Sequence, residues 1–289
     1  MITTGNYIKT TLLMVGLMAL FGLFGYLLGG QSGLIVALIF ATVTNFFSYW
    51  FSDSILLKMY RAQPVNERQE PRLHAIVRRL CGNAGLPMPK LYILPEEAPN
   101  AFATGRNPRH SAVAVTQGLL RMMNDREIEG VVAHELAHIK NRDILIGTIA
   151  ATFAGAIMML ANIAQWSMFF GGFGGDRRDN NPLALIGLIL SIILMPFAAI
   201  LVQAAISRSR EYGADATGAR FAGSPDGLAS ALRKLGAYSG RIPLEANAAT
   251  AHMFIVKPLS RRHARQAMLS MSTHPPLEDR IRRLREMRF

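Results

Sequence analysis

Three long stretches of this chain carry no charge. Thr10 to Ser52, Ile144 to Gly175 and Asn180 to Ser207 contain no Asp, Glu, Lys, Arg or His. A helix needs about 20 mostly apolar residues to cross the hydrocarbon of a bilayer. The first stretch is long enough for two crossings, divided at Leu28-Gly29-Gly30-Gln31-Ser32-Gly33, where glycine and serine permit a tight turn. The other two give one crossing each, parted by Asp176-Arg177-Arg178-Asp179. Four windows of that length in 289 residues argue against buried core helices, and four transmembrane helices are expected. The first apolar run exceeds the core of a signal peptide and shows no small-residue cleavage site, so an anchor is expected.

Composition agrees. Apolar residues make up 51% of the chain and charged residues 17%, against roughly 25% charged in a typical soluble domain. Yet the net charge is +12, so the basic residues must be concentrated elsewhere. Residues 53–143 hold 13 Lys+Arg against 10 Asp+Glu, and residues 207–289 hold 15 against 7. Positive segments stay in the cytoplasm, which places both termini and both polar segments there. A multi-pass membrane protein with its polar segments in the cytoplasm is the expectation. No arginine-rich motif interleaved with aromatics points to nucleic acid; attraction to the headgroups of the lipid bilayer accounts for the basic excess. The single Cys81 allows no internal disulfide and fits a reducing compartment.

The polar segments carry helical and extended patterns. Residues Glu67 to Cys81 have helical spacing, stopped at Gly85-Leu86-Pro87-Met88-Pro89. Short runs at 90–94, 100–104 and 111–116 predict a small sheet, with Asn107-Pro108 as the turn between the last two. Asn124 followed by Glu127 predicts a capped helix from there to Asn141, running on into the third span. Further helices are expected at 208–221, after Ser224-Pro225-Asp226, and from Thr273-His274-Pro275-Pro276 to Phe289. Residues 239–273 read as a loop-rich stretch and the expected gate of a cleft.

The strongest local signal lies on that capped helix: His134-Glu135-Leu136-Ala137-His138. Residues four apart share a helical face, so both imidazoles reach one ion, and zinc suits imidazole ligands. Glu135 projects beside them and has the chemistry of a general base, taking a proton from water and passing it to a leaving amine. A catalytic zinc has three protein ligands, so a third is needed. On a continuing helix Asp143 would point away, while His74, His110, His252 and His263 stand alone. Glu211 fits best, because a hairpin of the third and fourth spans returns it to the membrane face of His138, 73 residues earlier. Asp215, one turn on, can accept a hydrogen bond from a ligand histidine's other nitrogen.

These segments, taken in order, resemble the HtpX family of membrane metallopeptidases, heat-shock-associated bacterial relatives of the eukaryotic CAAX prenyl proteases. The likeness rests on the membrane hairpin, Asn100-Ala101-Phe102-Ala103, His134–His138, Ser207-Arg208-Ser209-Arg210-Glu211-Tyr212-Gly213-Ala214-Asp215 and Thr273-His274-Pro275-Pro276. It implies a mainly α integral membrane protein with a cytoplasmic α+β zincin-like catalytic domain of the gluzincin type, holding one zinc ion per chain. The layout is then a transmembrane hairpin at 1–52, a first catalytic segment at 53–143, a second hairpin at 144–207 and a second catalytic segment at 208–289. The resemblance implies Glu211 as third ligand, Glu135 as base and Asp215 behind the ligands. It puts the strand around Asn100 beside the cleft, where an extended substrate can pair with it. It also places His274 and Arg280 near the cleft to steady an oxyanion, although His274 equally suits a helix cap ahead of Pro275. The implied activity is degradation of unfolded or misassembled membrane proteins. A site-2-type intramembrane protease would need a Leu-Asp-Gly ligand, which is absent, and a transporter would need ionisable residues in its spans.

Overall fold

The computed structural model describes residues 2–145, 149, 208–239 and 275–288. Nearly all of the expected second hairpin, the stretch 240–273 and His274 lie outside the described residues.

Helical structure begins with α1, Ile2–Met59. Its 58 residues would span about 87 Å if straight. They do not, because Gly30 has φ +58, a left-handed value open to glycine without penalty. The chain folds back there. Phe21 meets Phe40 edge-on with ring centroids 5.8 Å apart, and Asn45 donates to the Met14 carbonyl at 3.4 Å. Glycine lets the two arms touch at the turn, where Gly25 packs on the Gly33 backbone. The expected division of the first run at 28–33 is therefore met. Gly30–Phe51, 22 residues, is long and apolar enough to cross a membrane; Met14–Leu23 is a shorter apolar helix. Among the described residues one of the four expected crossings thus meets the length and composition of a span.

Beyond α1 come β1 (Gln63–Pro64), α2 (Pro71–Ala84), β2 (Lys90–Leu94), β3 (Ala101–Asn107), β4 (His110–Thr116), α3 (Gln117–Met122) and α4 (Asp125–Asn141). After the second hairpin region follow α5 (Arg208–Ala222), α6 (Asp226–Ser239) and α7 (Leu277–Arg285). The sheet has the order β1-β2-β4-β3. Strands β2 and β4 run parallel, while β1–β2 and β3–β4 are antiparallel, so β3 is an edge strand. The pair β1, too short for an alternating pattern, was not foreseen. Helix α2 starts at Pro71, later than Glu67, because proline takes the first helical position readily but not the interior.

One face of the sheet packs with α2 and α4 in the main core, which includes Leu73, Val77, Leu80, Val113, Val115, Ile128, Val131 and Val132. The other face receives the end of α1: Leu56 and Leu57 pack with Phe102, Ala112 and Ala114. Helix α4 is thus central, contacting the sheet, α2, α5 and α6. Its start is fixed by a complete capping box, with Asn124 Oδ1 accepting from Glu127 N at 3.0 Å and Glu127 Oε2 accepting from Asn124 N at 2.9 Å. Such a cap is worth about 1 kcal/mol. The buried Glu127 carboxylate also accepts from Ser230 and Lys234, at 2.8 and 2.7 Å, which fastens α4 to α6.

Candidate metal centre

On α4, His134 and His138 stand one turn apart and their Nε2 atoms face each other at 3.1 Å. Helix α5 crosses beside them and supplies Glu211, whose carboxylate lies 3.7 Å from His134 Nε2 and 3.6 Å from His138 Nε2. One donor atom from each residue falls within 4.8 Å of the others. The crossing is close because α5 presents Gly218 to α4; a Cβ there would sit 2.8 Å from the His134 nitrogen.

Each histidine is held from behind. His134 Nδ1 lies 2.9 Å from Asp215 Oδ1, as the spacing on α5 implied. His138 Nδ1 lies 3.1 Å from both oxygens of Asp143. That second contact corrects the sequence reading. Helix α4 ends at Asn141 instead of running on as expected: Arg142 adopts a left-handed conformation, φ 59, and caps the helix. The turn swings Asp143 back toward His138 instead of away from it. Nothing in the sequence marks the break, since left-handed arginine costs about 1–2 kcal/mol and is not a usual stop signal.

Arg280, from α7, is fully buried and grips Asp215 with two hydrogen bonds of 2.8 and 2.7 Å. Its Nη1 lies 3.6 Å from Glu211 Oε2 and its Nη2 3.5 Å from His134 Nε2. The expectation put it near the cleft to steady an oxyanion; its two shortest hydrogen bonds go to Asp215, and the same guanidinium reaches the Glu211 carboxylate and His134 Nε2. Asn100 precedes β3, with its N–H bonded to Thr116 Oγ1 at 2.9 Å and its side chain buried. The part of that strand reaching the cluster is Ala103, whose N–H donates to Glu135 Oε2 at 2.8 Å. This backbone anchor could not be foreseen from residue types.

The charges explain the protonation behaviour. Glu135, Asp143, Glu211 and Asp215 are all buried in one cluster. Burial, reinforced by Glu211 and opposed by His138 and the Ala103 N–H, pushes the Glu135 carboxyl up to about 7. Burial disfavours protonated His138, but Asp143, then Glu211 and Glu135, outweigh it and push its pKa up to about 10. Burial works against ionised Asp215 as well, yet the Arg280 charge and hydrogen bonds, with His134, hold it at about 2. His134 is pushed down by burial despite Asp215.

A dication fits this arrangement. Two imidazole nitrogens turned toward each other cannot both be protonated there, and carboxylates outnumber the buried cation. The 3.1 Å between Nε2 atoms is close to the ~3.3 Å edge of a tetrahedron with bonds of about 2.0–2.1 Å. Both Nδ1 atoms have a carboxylate oxygen within 3.1 Å, the placing that orients ligand histidines.

Comparison with known proteins agrees with the site. Residues 67–288 match the sequence profile of Peptidase family M48. A "Protease HtpX homolog" of Desulfatibacillum aliphaticivorans is 60% identical over 280 residues, covering 97% of this chain and 89% of that protein. One of Pyrococcus furiosus is 54% identical over 284 residues, covering 98% and 96%. Among solved structures, the crystal structure of S. mikatae Ste24p superposes with a TM-score of 0.53 at 18% identity, over 96% of this chain and 64% of that longer one. At that identity it speaks for the fold. With a His-His-Glu donor set on crossed helices and relatives this similar along nearly the whole chain, the protein belongs to peptidase family M48 and is a membrane metalloprotease of the HtpX type.

Proposed function

We propose that the chain is a zinc endopeptidase that cuts unfolded or misassembled membrane proteins at the cytoplasmic face of the inner membrane. The observation that carries this is the placing of Glu135: it follows His134 on α4 in the same buried cluster, with one oxygen tied to the N–H of an edge strand. His134, His138 and Glu211 would hold the zinc, which when bound supplies Lewis acidity to the scissile carbonyl and to water. Among the described residues strand β3 pairs with β4 alone, and beyond the Ala103 N–H that Glu135 holds an extended substrate can add to its other side by backbone pairing, reading little sequence. Glu135 takes the proton of the attacking water on a carboxylate oxygen and returns it to the departing amine nitrogen. Asp215 and Asp143 keep the histidines in the tautomer that turns Nε2 toward the ion. The lack of sequence reading at an edge strand suits quality control, where substrates share disorder and no motif.

The test is proteolysis in detergent. Wild-type and Glu135→Gln protein are purified under chelation, then given zinc and an unfolded protein. The wild type should cut only with zinc, and Glu135→Gln should bind zinc and cut nothing. If both bind zinc and neither cleaves anything, itself included, the enzyme reading falls and a zinc-binding scaffold replaces it.

A further inference from the structure

The end of α1 and strand β3 lie side by side over a considerable length. Phe102, near the start of β3, meets Tyr60 just past the end of α1, with centroids 5.7 Å apart. Arg106, near the end of β3, stacks its guanidinium carbon 4.5 Å over the ring of Trp50. Ten residues of helix rise about 15 Å and four residues of strand about 13 Å, so the two run antiparallel and nearly parallel in axis. As α1 descends from the apolar hairpin, β3 climbs back along it. The β3–β4 turn therefore stands level with Trp50.

That level has the character of a membrane interface. Phe46, Phe47, Tyr49, Trp50 and Phe51 form a contiguous aromatic group at the end of the apolar run. Tryptophan and tyrosine gather where acyl chains meet headgroups. Below it, Ile55 and Met59 remain exposed while Leu56 and Leu57 are buried against the sheet. The turn itself reads Arg106-Asn107-Pro108-Arg109-His110, with Arg109 and His110 exposed. It contains no carboxylate, and among the described residues no salt bridge engages Arg106 or Arg109. Asn107 Oδ1 is bonded to both the backbone N–H and Nδ1 of His110, at 3.0 Å each, which fixes the turn.

We propose that the β3–β4 turn is a seat for anionic phospholipid headgroups, with Arg106 and Arg109 donating to the lipid phosphate. This rests on the membrane reading given above. Arginine matches a phosphate by two parallel hydrogen bonds, and Trp50 presets the orientation of Arg106. The seat fixes more than attachment. Ala103, which holds Glu135, lies three strand residues from Arg106, about 10 Å along β3. The scissile bond is then held about that far from the headgroup layer, and substrates are cut close to where they leave the membrane.

The experiment uses the full chain with Glu135→Gln to prevent self-cleavage and Cys81→Ala to leave one labelling position. A fluorophore is placed at Pro108→Cys, at Ile39→Cys inside the hairpin, or at Arg68→Cys, exposed on the loop before α2. Each is reconstituted in phosphatidylcholine nanodiscs with increasing phosphatidylglycerol bearing a headgroup nitroxide, or with an acyl-chain nitroxide. The Pro108 label should be quenched by the headgroup probe, with half-quenching needing about fivefold more phosphatidylglycerol for each of Arg106→Gln and Arg109→Gln. The Arg68 label should not respond. Quenching at Pro108 no greater than at Arg68, with Ile39 still quenched by the acyl-chain probe, overturns the headgroup seat and leaves the membrane reading standing. An unquenched Ile39 label overturns both. A Pro108 response to an acidic peptide but not to phosphatidylglycerol would make the turn a polypeptide site instead. Where Pro108→Cys fails to fold, phosphatidylglycerol retained by the otherwise unaltered chain in native mass spectrometry, with and without Arg106→Gln and Arg109→Gln, decides the same question.

Discussion

Asp143 sits with both carboxylate oxygens 3.1 Å from His138 Nδ1, a contact made by the left-handed turn at Arg142. The pair mirrors Asp215 behind His134. Partners of this kind typically contribute 10–100-fold to metal affinity. Asp143→Ala should therefore weaken zinc binding by about that factor, read by competition with a chromogenic chelator. Unchanged affinity would show that the contact orients nothing.

The Arg280–Asp215 pair separates a structural role from a chemical one. Removing one member of a buried ion pair leaves an uncompensated charge and costs about 3–5 kcal/mol. Arg280→Gln should lower the unfolding midpoint and weaken zinc binding together, because Asp215 then loses its hold on the ionised form. Were Arg280 only an oxyanion partner, turnover would fall while stability and metal affinity stayed put.

Glu135 acts as a base only when ionised, so cleavage should fall as pH drops through its pKa. Burial raises that value to about 7 in the metal-free cluster, and a bound dication favours the carboxylate and draws it lower. The acid limb of the pH–rate profile is expected between its ordinary value, 4.5, and about 7. Glu135→Gln should remove at least about a hundredfold of the rate above that limb, with the difference narrowing as pH falls through it. A profile flat down to its ordinary value would assign the base elsewhere.

Two glycines on α5 should respond oppositely. An alanine Cβ at Gly218 would press on the His134 backbone, 2.8 Å from its nitrogen, forcing α4 and α5 apart at a cost of about 1–3 kcal/mol. At Gly213 a Cβ meets nothing within 4 Å, so Gly213→Ala should stabilise the helix by up to about 1 kcal/mol. Thermal unfolding of the two variants, with zinc affinity measured alongside, checks the contrast.

Much of this site can be read from residues because it is built on periodic elements. The Asn124–Glu127 cap, the four-residue spacing of His134 and His138, and the spacing of Glu211 and Asp215 on α5 all follow from helical geometry. The extended runs were legible from β-branched and apolar residues between turn signals, which gave β2 its bounds and β4 all but its first residue. What escaped were features set by single backbone conformations or by tertiary contact. Arg142 breaks α4 against its own propensity, and Asp143 gains its partner only through that break. The Ala103 N–H on Glu135 depends on which edge of β3 faces α4, and residue identity does not encode that. Arg280 was read as near the site, but its bonding to Asp215 was not legible, because α7 carries several arginines and only packing chooses which one goes inside.

The glycine contacts along α4 have one more consequence. Gly218 sets α5 against the backbone of Ala133 and His134, and Gly130 sets the start of α6 against the preceding turn. Main chain there abuts main chain, and main chain has no alternative rotamer with which to yield. Helix α4 is therefore the fixed side of the site, unable to slide or roll without breaking two seams at once. Strand β3 is held less rigidly: among the described residues it is joined to a single neighbouring strand and packs on the end of α1, so under the proposed activity accommodating substrates of different bulk would fall to it.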